Sequence, residues 1–274
     1  MERLIRWAFV LVLLLGTAAC SKDALVAKFT PHPEAEVAKQ AIDDWRTGHY
    51  DALRATLMPE SRGEATDDVL RAMAAELPKG EPKSVKVVGA ETTIADGQHR
   101  YGITYEYEYD GHWLVAQAVV LVRGNQTGVV GIHGKVYTRS LEAMNAFTFA
   151  NKGGLHLLML FLAIVSPVFC LTACVICIRT PLPGRKVLWA LFTLVGVVTV
   201  HFNWTTGHLD FVPISFQIMG ASIMGQPYGP WIIGVSAPVG AIIFLFKRKK
   251  LMARALAASQ RARQLDTTAS LPEA

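Results

Sequence analysis

Three long apolar stretches dominate the second half of the chain. They cover residues 155–178, 187–205 and 228–246. Each is close to the roughly 20 apolar residues that a helix needs to cross a bilayer. The pattern therefore predicts a membrane domain at 151–250 that consists of three transmembrane helices.

The basic residues around these stretches predict their direction. Arg179, Arg185 and Lys186 lie between the first two stretches, and Lys247–Lys250 follow the third, whereas 203–230 contains no Lys or Arg. By the positive-inside rule the basic loops are cytoplasmic, so the residues before 155 lie outside the cytoplasm.

A further apolar segment, Leu209–Gly225, lies between the last two predicted spans. If it were a fourth span, Lys247–Lys250 would be outside the cytoplasm, against the charge rule. We therefore expect it to be interfacial or re-entrant, sheltered by protein or water.

The N-terminus has the pattern of a signal peptide. Arg3 and Arg6 precede a short apolar run at 7–15, and small residues from Thr17 lead to Cys20. Residues 1–20 thus resemble a bacterial lipoprotein signal, which implies lipidation of Cys20. Cleavage at an ordinary site and retention as an anchor are the alternatives, and all three export the segment 21–150.

The charge distribution supports this location. The chain has a formal net charge of +5, and residues 151–274 contain 11 Lys or Arg but three Asp or Glu. A basic cytoplasmic edge and a basic tail at 251–274 suit anionic lipid headgroups. The sequence predicts a protein of a bacterial inner membrane with a periplasmic N-terminal domain, membrane lipid as a partner, and no nucleic-acid binding.

The exported segment changes its periodicity at Lys83. Before it, three helical patterns cover Pro33–Thr47, Tyr50–Met58 and Thr66–Leu77. After it, residues alternate with period two, and short turns fall at Asp96-Gly97, Asp110-Gly111 and Arg123-Gly124-Asn125. This predicts an α+β domain in which helices pack on a four-stranded antiparallel meander.

The two Asp-Gly turns predict the strand registers. The expected pairs are Tyr107 with Leu114, Tyr105 with Ala116, Ile103 with Ala118, Tyr101 with Val120, Ile94 with His99, Thr92 with Tyr101, Ala90 with Ile103, and Val88 with Tyr105. One face is aromatic and aliphatic, and the helices are expected to cover it. Its tyrosines are either packed core or the wall of a ligand cavity.

The opposite face combines an apolar patch with charged residues; its apolar members are Val87, Trp113, Val115, Val119 and Leu121. An apolar patch rimmed by charge indicates a covered surface. Its cover is either a protein partner, such as a second copy, or a segment of this chain, namely Leu141–Phe149 or the end of the fourth strand.

The segment Ala41–Leu53 reads Ala-Ile-Asp-Asp-Trp-Arg-Thr-Gly-His-Tyr-Asp-Ala-Leu, and short helices and hairpin-linked strands follow it. This resembles the NTF2-like superfamily over residues 34–138. The resemblance implies a curved sheet wrapped on helices with a concave pocket. In different members that pocket binds small molecules, performs catalysis or mediates dimerisation, and no family-wide catalytic set exists.

Candidate chemistry is sparse. Asp43, Asp44, Asp51 and His49 lie on or beside the first helices, where solvated surface charge and general acid-base residues are the alternatives. There is no nucleophile elbow, zinc helix or phosphate loop. Hydrolase and nucleotide-binding functions therefore lack support.

Three cysteines and three histidines belong to the membrane half. Cys170, Cys174 and Cys177 share one helical stripe and are expected to pack a helix contact rather than to bind metal. The histidines, His156, His201 and His208, are expected near the outer membrane face. Haem or metal ligation by His156 and His201 is the alternative to an ordinary interfacial role without a cofactor.

The sequence thus favours a non-catalytic binding or adaptor protein. Its domain would recognise a small ligand, lipid or protein partner at the outer membrane face. The candidate contact residues are Tyr101, Tyr105, Tyr107 and Trp113. A haem-binding redox subunit and an enzyme with its active site in the cone are the alternatives.

Overall fold

The computed structural model describes residues 22–182 and 186–269 and divides the chain into two compact units. Unit 1 runs to Asn145 and includes Pro227–Gly229, and unit 2 comprises Ala146–Gln226 and the residues from Pro230 onward. The predicted signal segment and the lipidation site Cys20 lie outside the described residues.

Within the described residues, unit 1 contains the helices α1 (Lys22–Phe29), α2 (Glu34–Thr47), α3 (Tyr50–Thr56), α4 (Asp67–Ala74) and the short α5 (Leu141–Met144), with a 3₁₀ turn at Pro59–Ser61. Gly48 ends α2 in the left-handed conformation, with φ 81°, which glycine adopts without steric cost. Thr66 caps α4, since its side chain accepts a hydrogen bond from the Val69 amide. The three predicted helices are therefore present, each shortened by one to four residues.

The sheet of unit 1 consists of β1 (Ser84–Ala95), β2 (Gln98–Glu108), β3 (Trp113–Arg123) and β4 (Gln126–Tyr137), in that order and antiparallel. The predicted registers are confirmed at seven of the eight pairs. The eighth is wrong by one residue, because a β-bulge at Val88 places Val87 opposite Tyr105.

The core of unit 1 lies between α2 and the tyrosine-bearing face of this sheet. Ile42 and Trp45 of α2 are 0% and 1% exposed, and they belong to the same buried cluster as Tyr105, Tyr107 and Leu114. The aromatic face is thus covered by helix, as the alternation of large and small residues predicts.

Unit 2 begins with the helices α6 (Gly154–Arg179) and α7 (Lys186–Thr193) and ends with α8 (Val239–Ala269). Between them lie four antiparallel strands: β5 (Val195–Asn203), β6 (Leu209–Ile218), β7 (Ala221–Gly225) and β8 (Trp231–Ala237). Their order in the sheet is β6-β5-β8-β7, so the two edge strands, β6 and β7, are consecutive in the chain.

The prediction of three transmembrane helices is wrong. Only the first predicted span forms one continuous helix, α6. The second, 187–205, divides into α7 and β5, and the third, 228–246, divides into β8 and the start of α8. The segment 209–225, expected to be interfacial or re-entrant, forms β6 and β7.

The physical reason is that hydropathy reports composition and not backbone conformation. The second stretch contains the β-branched run Val197-Val198-Thr199-Val200, which favours a strand. The third contains Gly234 and Pro238, which interrupt a helical pattern. A short apolar strand followed by part of a helix can therefore have the same average hydropathy as one transmembrane helix.

Among the described residues, α6 is the one helix that is long and apolar enough to cross a membrane. It has 26 residues, or about 39 Å at 1.5 Å per residue. Most of its large side chains are exposed, including Leu157, Phe161 and Ile164. Its composition is compatible with membrane association, whereas a chain that crosses several times as helices is not supported.

Candidate functional site

A cavity of about 450 Å³ lies in unit 1 between α1, α2 and the first two strands. Most of its exposed wall is apolar. Its lining comprises Val26, Ala27, Ala35, Val87 and Tyr105 together with the polar or charged residues Asp23, Thr30, His32, Glu36, Lys39 and Lys86. This volume falls within the roughly 300 to 1,000 Å³ typical of small-molecule pockets. The cavity is therefore the candidate binding site of unit 1.

The charged residues at the cavity are paired within unit 1. The Lys39 ammonium lies 2.6 Å from a carboxylate oxygen of Asp43, and the Lys86 ammonium lies 3.2 Å from Glu106. Asp23 accepts a hydrogen bond from the Tyr228 hydroxyl. Because both ammonium groups are already paired with carboxylates and most of the exposed wall is apolar, the cavity offers chiefly apolar contact to a ligand.

Tyr105 provides the cavity's most constrained polar group. Its hydroxyl donates to the Ala35 carbonyl oxygen at 2.7 Å, which joins β2 to the start of α2. Burial, together with the nearby carboxylates of Asp43 and Glu36, raises the pKa of Tyr105 to about 12. The hydroxyl therefore remains protonated at neutral pH and acts as a hydrogen-bond donor.

Glu106 and Tyr228 both contact Lys86 of the edge strand β1. The Glu106 side chain is 2% exposed and accepts a hydrogen bond from the Leu141 amide at 2.6 Å. The Lys86 ammonium lies 4.6 Å from the centre of the Tyr228 ring, and Tyr228 packs in a buried cluster with Val26 and Val88. Burial, followed by its hydrogen bond to Asp23, raises the pKa of Tyr228.

These contacts show what covers part of the sheet face opposite the tyrosines. The Leu141 amide donates to Glu106 on this face, and the Leu141 side chain packs against the buried cluster of Val26, Val88 and Tyr228, as one of the two sequence alternatives expects. The predicted placement of Val87 on this face is wrong, because the bulge at Val88 sets Val87 opposite Tyr105, and both residues line the 450 Å³ cavity. Farther along the same face, a smaller cavity of about 240 Å³ is lined by Thr104, Val115, Gln117, His133, Lys135 and Tyr137. Sequence reasoning missed Glu106 and Tyr228, because nothing local links residue 228 to residues 23 and 86.

The four predicted contact residues have different environments. Of these, Tyr105 alone lines the 450 Å³ cavity. Tyr107 is fully buried with Arg46 over its ring, and its hydroxyl has no hydrogen-bond partner among the described residues. Tyr101 is half-buried with its hydroxyl 3.4 Å from a His99 ring nitrogen, and Trp113 is half-buried at the opposite face.

The acidic residues of the first helices form ion pairs and hydrogen bonds. Burial alone would raise the pKa of Asp43, but hydrogen bonds from Lys39 and Arg46 outweigh it and hold that pKa below its ordinary value. Asp51 is exposed and pairs with Arg54, and Asp44 receives a hydrogen bond from Gln40. His49 lies 3.0 Å from the Thr47 hydroxyl. None of Asp44, His49 or Asp51 lines the cavity.

The histidines of unit 2 do not converge. The His156 ring lies 4.9 Å from Phe202, whose side chain belongs to the cluster that packs against α6. His201 precedes Phe202 on β5, so its side chain points to the opposite face of the strand. His208 pairs with Asp210 at 3.1 Å. The described residues contain no group of three or more His, Cys, Asp or Glu that could hold a metal ion.

The cysteines of α6 occupy a packing surface. Cys170 and Cys177 are buried, and Cys170 forms a cluster with Ala173 of α6 and Ala241 of α8. Small side chains allow helices to approach closely. This environment is that of a helix contact.

Comparison of the chain with protein-family models, curated proteins and solved structures found no match in any of the three.

Proposed function

We propose that this chain is a membrane-anchored binding protein, in which unit 1 binds a small ligand in its 450 Å³ cavity. The helix α6 would anchor the chain in the membrane, with unit 1 on its outer side. The observation that carries the proposal is the cavity itself, because most of its exposed wall is apolar and its two lysines are paired with carboxylates.

The chemistry of the cavity favours an uncharged or amphiphilic ligand, such as one with a single acyl chain. Val26, Ala27 and Val87 would contact the apolar part, and each buried CH₂ group of the ligand contributes about 0.8 kcal/mol. The rim residues His32 and Glu36 are exposed and would contact a polar end.

Neither Asp43, beside the cavity, nor Tyr105, in its wall, suits general acid-base catalysis at neutral pH. A general base works best with a pKa close to the operating pH. Asp43 has a lowered pKa, and Tyr105 has a pKa of about 12. Both are therefore far from the range in which a side chain accepts and returns a proton at neutral pH.

The NTF2-like resemblance of residues 34–138 remains part of this proposal. The helix-covered, antiparallel sheet and the cavity between helix and strand are the features that the resemblance implies. We further propose the inner membrane of a bacterium as the location, with unit 1 periplasmic, the basic C-terminal segment cytoplasmic and Cys20 lipidated.

Photo-crosslinking tests the ligand class. The full-length protein in lipid nanodiscs is irradiated with a diazirine-bearing fatty acid, and the modified peptides are identified by mass spectrometry. We expect labelling of the peptides that contain Val26–Ala27 and Val87. Ala27→Trp should abolish this labelling by filling the cavity, and Ala24→Trp, on the same helix but away from the cavity wall, should leave it unchanged.

The opposite pattern would overturn the proposal. Labelling confined to α6, or labelling of the cavity peptides that Ala27→Trp does not reduce, would show that the fatty acid enters the bilayer but not the cavity. Extraction of the chain from membranes by alkaline carbonate would separately contradict the anchoring role of α6.

A further inference from the structure

Three neighbouring strands of unit 1 bring polar side chains together on the sheet face opposite α2. Thr104 pairs with Gln117, and Gln117 pairs with His133, so these residues form one row across β2, β3 and β4. Val115 pairs with Lys135 in the next row. Directly opposed residues on one face have Cβ atoms about 4.5–5.5 Å apart. These two rows therefore line most of the 240 Å³ cavity within reach of one small ligand.

A glycine beside the first row gives the Gln117 side chain its position. In the adjoining row, Gly102 pairs with Val119, so this part of β2 has no side chain. The Gln117 side chain lies over it, since a Cβ on Gly102 would be 3.2 Å from the Gln117 Nε2 atom. The same nitrogen donates a hydrogen bond to the Thr104 hydroxyl oxygen at 3.2 Å. Because that oxygen acts as the acceptor, the O–H of Thr104 is left to donate.

Lys135 is the one residue of this lining with a permanent positive charge. Its ammonium lies 5.6 Å from the centre of the Tyr137 ring, which is within the range of a cation–π contact. Glu106 lies in the same cross-strand row, but its carboxylate is already held by Lys86 and by the Leu141 amide. Among residues 22–182 and 186–269, no carboxylate forms an ion pair with Lys135. Its ammonium is therefore available to an anion at the cavity.

The charge of the lining favours a ligand with a single negative charge. Thr104 and Gln117 are neutral, and the His133 ring offers an N–H donor. One lysine with such donors suits a carboxylate, whereas phosphate groups are commonly bound by Arg side chains or helix N-termini. Val115 and Tyr137 add apolar surface for the rest of the ligand.

We propose that this cavity is a binding site for a small carboxylate. The carboxylate group lies at Lys135, Thr104 and His133, and the apolar body of the ligand lies against Val115 and Tyr137. The volume of about 240 Å³ equals that of about eight water molecules at roughly 30 Å³ each, so the ligand has about that many heavy atoms. The site shares no lining residue with the 450 Å³ cavity and does not depend on the proposed function.

Fluorine NMR of the full-length protein in lipid nanodiscs tests the site. The probes are 4-fluorobenzoate, trifluoroacetate and 4-fluorobenzamide, the last of which resembles the first in shape but has no charge. Empty nanodiscs correct for partition of each probe into lipid. We expect saturable line broadening of at least one carboxylate and none of the amide, because the ammonium of Lys135 attracts the charged group.

Substitutions then locate the binding. Lys135→Gln should weaken it about tenfold or more, the loss expected for a hydrogen bond to a charged group. Position 135 is exposed, so this change should leave the fold intact. Thr104→Val, which is close in shape, should give a smaller loss. The matched control is Lys79→Gln, at an exposed lysine of unit 1 outside the cavity, and it should have no effect. Ala27→Trp, which fills the 450 Å³ cavity, should also have none.

Three results would overturn the proposal. These are equal binding of 4-fluorobenzoate and 4-fluorobenzamide, equal affinity in Lys135→Gln and Lys79→Gln, and no saturation by either carboxylate. Loss of binding in Ala27→Trp but not in Lys135→Gln would likewise contradict it, because the carboxylate would then occupy the other cavity. Since Ala27→Trp and Lys135→Gln separate the two cavities, failure of this site is distinguishable from failure of the proposed function.

Discussion

The two units each contain a four-stranded antiparallel sheet, but the sheets differ in strand order and in how far their apolar side chains are buried. In unit 1 the strands follow chain order, and one face is buried under α2 with Ile42 and Trp45 in the core. In unit 2 the order is β6-β5-β8-β7, and large side chains such as Ile214 and Phe216 remain exposed.

The units also differ in how much of their apolar surface the chain itself buries. Unit 1 has a buried core of the ordinary kind for a compact domain. Unit 2 buries a smaller cluster around Met159, Phe202 and Ile233 while exposing apolar residues on α6, β6 and β7. Unit 2 therefore leaves exposed the kind of apolar surface that unit 1 largely buries.

The largest expected effect is in the core of unit 1. Trp45→Ala removes a ring that is 1% exposed and lies 3.0 Å from where a Cβ on Gly134 would be. We expect a loss of about 3–5 kcal/mol in the free energy of unfolding. Hydrogen-exchange mass spectrometry should show faster exchange in β2–β4 with little change in unit 2. Equal acceleration in both units would show that they do not unfold separately.

A smaller loss is expected in unit 2 from Gly240→Ala. A Cβ at this position would overlap the Phe192 carbonyl oxygen, so the backbone of α7 or α8 must move. We expect a destabilisation of about 1–3 kcal/mol, seen as faster exchange in α7, α8 and β5. The matched control is Gly154→Ala, which has open space around it. Similar exchange in the two variants would contradict tight packing at Gly240.

The contact that links α2 to the cavity should contribute less. Tyr105→Phe removes the hydrogen bond to the Ala35 carbonyl and leaves the ring in place. We expect a loss of about 0.5–1.5 kcal/mol, measured by thermal unfolding of the full-length protein. Unchanged stability would mean that the Ala35 carbonyl finds another partner. Fatty-acid labelling of the cavity should persist, because the apolar wall is intact.

The smallest expected effect is the loss of stability of unit 1 when Asp43 is protonated at low pH. The folded-state pKa of Asp43 is lowered, so its ion pairs stabilise unit 1 above the ordinary Asp pKa of about 3.9. This stabilisation is lost as the pH falls through the lower folded-state pKa. Because the carboxylate is partly solvated, we expect less than about 1 kcal/mol. The stability difference between the wild type and Asp43→Asn should shrink from pH 7 to pH 3, and a constant difference would contradict the ion-pair explanation.

How much the sequence predicts differs between the units for a physical reason. In unit 1, Asp96-Gly97 and Asp110-Gly111 join strands that are adjacent in the chain, so each turn fixes its own register. The bulge at Val88 was not predicted, because the alternation of apolar and polar residues does not reveal where one extra residue is inserted in a strand. In the candidate site, Tyr105 is identified, whereas Tyr228 and Glu106 depend on contacts between distant segments.

The sequence by itself determined the meander of unit 1, its covered face and an apolar helix long enough for a membrane, because these follow from local turns, alternation and length. The tertiary structure decided that 187–205 and 228–246 contain strands, and that β6 and β7 become the edges of one sheet. Hydrophobicity measures how strongly a segment avoids water. Whether its backbone pairs within a helix or with a distant strand depends on which partners folding brings alongside it.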